Sequence, residues 1–213
     1  MTRIGATVHP RQGLFSGLVC LAALGALLTA GFLGLAEWRA IKFLAQSDED
    51  RLRHLATAPV TFPPSIRTGR DVLLACEGVL LGDLFPFQPA TVQTSINARC
   101  SDLARDAIAR SPDWSLAHYA AALTHHIDKQ PEARNLALSR SQALAPFEAW
   151  LAARRFDLAR SNLQNNGLDG VFEADIAVLL DSASGRTQIV SAYLNDATLR
   201  AQVKTIEAVN ETD

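Results

Sequence analysis

Cysteine, lysine, tyrosine and methionine are all scarce in these 213 residues, at three, three, two and one. Three cysteines are too few for a disulfide-rich scaffold. One of them, Cys20, sits in an apolar stretch, which leaves Cys76 and Cys100 as the only soluble pair. Acidic residues are missing altogether before Glu37, although the whole chain holds 22. Basic excess is also missing: two of the 20 basic residues precede Glu37, so residues 37–213 carry 18 basic and 22 acidic groups, a net of −4. That balance excludes the electrostatic footprint of a nucleic-acid binder. No serine lies in a nucleophile elbow, and no glycine-rich phosphate loop follows a strand pattern. No run between 65 and 213 alternates apolar and polar residues as a half-buried strand does, so a sheet is not expected and the fold class is all-α.

What the chain does have is a run of 24 uncharged residues from Gly13 to Ala36. At about 1.5 Å per residue, a helix of that length crosses a hydrocarbon core of about 30 Å with some tilt. Two readings compete. Arg3 and Arg11 would supply the basic start of a signal peptide, and Gly34-Leu35-Ala36 resembles a cleavage site before Glu37. A signal peptide's apolar core is usually about 7–15 residues, so the length favours an uncleaved anchor. A lipoprotein signal does not fit, because Val19 precedes Cys20 where a small residue is required. Two basic residues flank each end, Arg3 and Arg11 against Arg39 and Lys42. A short basic tail, 1–12, is normally kept in the cytoplasm while the long domain is translocated. The expectation is a single-pass membrane protein with residues 37–213 translocated out of the cytoplasm. Gly13 with Gly17, and Ala30 with Gly34, are small-xxx-small pairs that would let a partner helix or a second copy of the chain approach closely.

Beyond the membrane, Glu37 to Ala56 reads as a juxtamembrane helix whose charge run Asp48-Glu49-Asp50-Arg51 is a solvated face. Pro59, Pro63 and Pro64 cannot continue a helix and mark an extended connector up to residue 64. The folded domain then covers 65–213. Thr68 three residues before Asp71 resembles a capping box, and helices are expected at about 68–83, 90–109, 113–127, 132–144 and 146–162, with more in 171–180 and 188–209. Asn165-Asn166-Gly167 suits a helix C-terminus. Pro112 and Pro146 each precede a helix and lie 34 residues apart, the length of one tetratricopeptide (TPR) unit. Segments 104–112 (ARDAIARSP) and 138–146 (LSRSQALAP) are alike, though the full repeat signature is absent. A degenerate array of two or three stacked helix pairs is expected.

The residues that could carry chemistry are few. His118, His125 and His126 are close in sequence, but spacings of seven and eight do not match zinc ligands on a helix. They read as polar helix-surface histidines, and no metal or cofactor is expected. Asp102 and Asp106, among Arg99, Arg105 and Arg110, read as surface ion pairing. Arg154 and Arg155, flanked by Trp150 and Phe156, are the local cluster of most interest, because arginine beside an aromatic suits a carboxylate, a phosphate or an acidic partner. The competing account pairs Arg154 with Asp157, leaves Arg155 solvated and puts the aromatics in the core. Cys76 and Cys100 fall on apolar faces of consecutive helices and would form a disulfide in an oxidising compartment, or else remain two buried thiols.

The run ALSRSQALAPFEAWLAARRFDLA, with Arg140, Ser141, Pro146, Trp150, Leu151, Arg154, Arg155 and Leu158, resembles a group of small bacterial single-pass proteins. These have TPR-like ectodomains and are associated with exopolysaccharide and O-antigen assembly. The resemblance spans about a quarter of the chain and carries no catalytic signature. It implies a non-catalytic, membrane-anchored periplasmic scaffold that binds a membrane protein of a polysaccharide assembly complex. The alternatives are a glycan-binding protein or enzyme using the Arg154–Arg155 region, and a TPR-like assembly factor for another envelope system.

Overall fold

The computed structural model describes residues 10–160, 170–197, 199 and 200, with side chains from Val19 onward except at 170 and 171. Among these residues the chain is helical, with no strand. Nine α-helices follow in order: α1 Pro10–Leu44, α2 Asp48–Thr57, α3 Ile66–Leu80, α4 Ala90–Arg110, α5 Ser115–Ile127, α6 Pro131–Leu144, α7 Ala149–Arg160, α8 Gly170–Leu180 and α9 Ala183–Asn195. A 3-10 turn, Phe85–Phe87, sits between α3 and α4. The basic tail up to residue 9, the Asn165–Gly167 helix end and the segment after 200 lie outside the described residues.

α1 changes environment along its length. Leu21, Leu27, Leu28 and Phe32 are 68–73% exposed, and the stretch is long and apolar enough to cross a membrane. Its backbone groups are satisfied within the helix, as lipid requires. Past Ala36 the same helix is packed into protein: Ala40 and Phe43 are buried against α2 and α3. Residues 37–64 therefore do not stand apart as a stalk. Leu52, Leu55 and Phe62 belong to the same core as α3, α4 and α5.

Nor is 37–56 one helix, as expected from its apolar residues. α1 stops at Leu44, and Ser47 starts α2 by accepting a hydrogen bond from the Asp50 amide at 3.2 Å. Asp48, Glu49 and Asp50 fill the first turn of α2, where carboxylates are favoured by the exposed amides. The proline-rich connector is strapped down rather than loose. Phe62 is buried, meets Trp114 edge-on at 6.2 Å and lies under the Arg110 guanidinium. Arg110 also donates from Nη1 to the Pro63 carbonyl at 3.0 Å. Phe62 needs Gly69 opposite it, because a Cβ there would come within 2.6 Å of the ring. The cap of α3 is Ser65, not Thr68: its Oγ accepts from the Thr68 amide at 3.2 Å.

α3 and α4 are joined by a Cys76–Cys100 disulfide with Cα atoms 5.8 Å apart. α5 and α6 form a tight hairpin whose turn, Asp128–Gln130, places Lys129 at a positive φ of 57°. The backbone repeats across 34 residues here. Ser111 and Ala145 end α4 and α6 with φ near −143° and −142°, each amide bonded four residues back, and α5 and α7 begin four residues later. α7, α8 and α9 build a second, smaller core, in which Phe156 stacks on Phe172 at 5.1 Å and Leu179 and Ala192 are buried.

Candidate docking face around Trp150 and Arg154

α7 points the neighbouring Arg154 and Arg155 to opposite sides. Arg155 turns inward and is fully buried. Its Nε and Nη2 hold both oxygens of Asp175 on α8, at 2.9 Å and 2.5 Å, and Nη2 also donates to the Ala145 carbonyl at 3.3 Å. Such a fork-to-carboxylate pair satisfies both carboxylate oxygens and pins α7, α8 and the end of α6 together. Burial pushes the Asp175 carboxyl upward, and the Arg155 hydrogen bonds and charge oppose that shift. Arg155 is therefore a packing residue: the expectation that it faces a partner is corrected, and so is the alternative that it is solvated.

Arg154 points outward. Its Nε donates to Glu77 Oε2 on α3 at 2.9 Å, and its side chain keeps 36% of its exposure. Asp157, its expected partner, instead pairs with Arg160 and accepts from Gln188 at 2.9 Å. Glu77 is shared, since its other oxygen accepts from the Tyr119 hydroxyl of α5 at 2.7 Å. Burial and the neighbouring Glu77 charge hold the Tyr119 hydroxyl protonated well beyond the ordinary tyrosine range. Trp150, one turn before Arg154, is half-buried and flanked by two guanidinium groups, Arg70 at 4.8 Å from its ring and Arg154 at 5.3 Å. Cation–π contacts of this kind fix the indole plane.

Two hollows adjoin this face. One of about 180 Å³ lies among Glu77, Tyr119, His126, Arg154 and Asp157. The other, about 290 Å³, opens between Trp114 and Trp150 and is edged by Arg70, Asp113, Leu144 and Glu148. Arg70, Asp113 and Glu148 are exposed at its rim. Aromatic walls with charges of both signs suit a polar, hydrogen-bonding occupant such as a partner loop.

The histidines divide. His118 is buried, contrary to the surface reading, and its Nε2 lies 2.8 Å from the Pro112 carbonyl. His126 is half-buried, and burial with the nearby Arg134 charge keeps its pKa below the ordinary value. Among the described residues no three His, Cys, Asp or Glu side chains converge as a metal site would require. Ala30 and Gly34 lie on the exposed length of α1, and Gly34 has open space at its missing Cβ; the surroundings of Gly13 and Gly17 lie outside the described side chains.

Half of the eight residues carrying the family resemblance turn out to be packing groups: Ser141, Leu151, Arg155 and Leu158 are buried, while Pro146, Trp150 and Arg154 are half-exposed and Arg140 is exposed. Sequence reasoning missed Glu77, Tyr119 and Arg70. Nothing local singles them out, since they meet Arg154 and Trp150 only through packing of α3, α5 and α7. No family model, curated protein or solved structure matches the chain, so the chemistry of this face is read from its own geometry.

Proposed function

We propose that this protein is a membrane-anchored, non-catalytic scaffold whose periplasmic, TPR-like helical domain holds a membrane protein of a polysaccharide assembly complex through the Trp150–Arg154 face. The observation that carries the scaffold reading is α1, which is lipid-ready along Val19–Ala36 and then packs its last turns into the domain core. A domain fixed in this way presents the same face to a neighbour in the same bilayer. The 34-residue repeat of turn and helix around Pro112 and Pro146 supports the TPR-like description, and the polysaccharide connection rests on the Arg140–Leu158 resemblance alone.

A second reading, direct glycan binding, is favoured by the cleft between Trp114 and Trp150 with Asp113 and Glu148 at its rim. Co-purification of the full chain from detergent-solubilised membranes separates the two. A polysaccharide polymerase or chain-length regulator should be retained, lost on Arg154→Gln and kept on Glu77→Gln, which frees Arg154 without removing its charge. Retention of glycan by the purified full chain with no protein partner would favour the second reading instead.

A further inference from the structure

The corner where the connector enters α3 lies against the point where α1 leaves its apolar run. Glu37 is the first charged residue after that run, and its carboxylate accepts hydrogen bonds from the Ser65 hydroxyl at 2.6 Å and from the Thr68 hydroxyl. Ile66, next along the chain, is 69% exposed. Arg67 and Arg39 are also exposed, and neither has a salt bridge or hydrogen bond among the described residues. The corner is held stiffly: Arg110 grips the Pro63 carbonyl, and Phe62 is locked into the gap at Gly69. On the same stretch of α1, Trp38 is exposed and carries the Lys42 ammonium 5.2 Å from its ring. Amphipathic aromatics and basic groups of this kind sit at the headgroup level.

We infer that the Pro64–Arg67 corner is a second membrane contact of the domain, with Ile66 entering the interfacial layer and Arg67, together with Arg39, meeting the phosphates of anionic phospholipids. This rests on α1 crossing the bilayer. Given that, the Glu37–Ser65 bond puts the corner at the depth of the headgroups. An apolar side chain there is removed from water, and an unpaired guanidinium there gains a counter-ion. The consequence is a fixed tilt of the domain on the membrane, set by two points rather than one.

The test uses the full chain with Cys20→Ser and the Cys76–Cys100 disulfide intact. An environment-sensitive fluorophore is placed on a single new thiol, Ile66→Cys or Leu28→Cys, and helical content is checked by circular dichroism. The protein is reconstituted into phosphatidylethanolamine–phosphatidylglycerol vesicles containing lipids brominated either near the carbonyl end or at mid-chain. The label at 28 should be quenched most by mid-chain bromine, and the label at 66 by the shallow bromine. Adding Arg67→Gln should lower the bound-to-free ratio of the corner by about five-fold, as expected for a single basic charge lost, and omitting phosphatidylglycerol should lower it further. If the label at 28 is quenched while the label at 66 keeps its emission in water, the corner contact is wrong and the anchor stands. If the label at 28 is unquenched, the anchor is wrong and the corner contact falls with it.

Discussion

Arg154 and Arg155 are neighbours in sequence with opposite energetic standing. Arg155 and Asp175 are 0% and 1% exposed, so removing either partner strands a charge without water. Arg155→Ala should cost about 3–5 kcal/mol of stability, measured by urea unfolding of the detergent-solubilised chain, while Arg155→Met with Asp175→Leu should recover most of that loss. If Arg155→Ala unfolds at the same urea concentration as the parent, the buried pair is not structural. Arg154→Gln should cost only about 1 kcal/mol, because its side chain is already one-third exposed and screened. His126 gives a separate prediction. Its folded pKa lies below the ordinary 6.5, because burial disfavours the imidazolium and Arg134 repels it. The unfolded chain therefore takes up the proton first as pH falls, so this group's stabilisation is present above 6.5 and is lost below it as the pH approaches the folded value. Stability should drop between pH 7 and 5, and His126→Gln should reduce that slope. An unchanged slope would place the titrating group elsewhere. Neither arginine's fate could be read locally: the carboxylates that decide it, Asp175 and Glu77, are 20 and 77 residues away.

Helix positions were legible where a local signal fixed them, and illegible where tertiary packing overrode it. The apolar spacing over 65–160 places α3 to α7 within a few residues of their ends, because proline at 112, 131 and 146 stops the chain wherever the pattern does. The break at 45–47 was missed because Leu44, Leu52 and Leu55 continue a helical pattern across it. Only the Ser47-x-x-Asp50 capping pair signals a new start. The same competition explains Phe62, which lies in a proline-rich stretch that reads as an extended connector, yet is buried and fills the space opposite Gly69. The Cys76–Cys100 bond ties two of the well-marked helices, closing a loop of 25 residues across the 3-10 turn. Replacing both cysteines by alanine should lower stability by about 3.5 kcal/mol if the loss follows the chain-entropy model. Protein isolated from its native envelope and denatured without reductant should expose Cys20 as its one reactive thiol. Three reactive thiols would mean that the pair is reduced in the cell, and would weaken the periplasmic assignment.

At the scale of the whole molecule, the choice between anchor and cleaved signal bears on the fold itself. A cut after Ala36 would fall within a continuous helix, between residues facing solvent and residues packed on the domain. In the folded chain that segment is helical and held through Glu37, whose carboxylate accepts from the Ser65 and Thr68 hydroxyls, and through the buried Ala40 and Phe43. Cleavage would leave Glu37 at a frayed, positively charged chain start, and would cost the hydroxyls of Ser65 and Thr68 a well-placed acceptor. Under the proposed function, retention would fasten the domain to the bilayer at a fixed angle and so hold the Trp150–Arg154 face in a constant orientation toward a membrane partner. A periplasm-dependent reporter fused after Asp213 should be active and a cytoplasm-dependent one silent. Sequencing of the purified protein should find residues 1–36 still attached. A mature chain beginning at Glu37 would overturn the anchor, and an active cytoplasmic reporter would reverse the orientation while leaving the anchor in place.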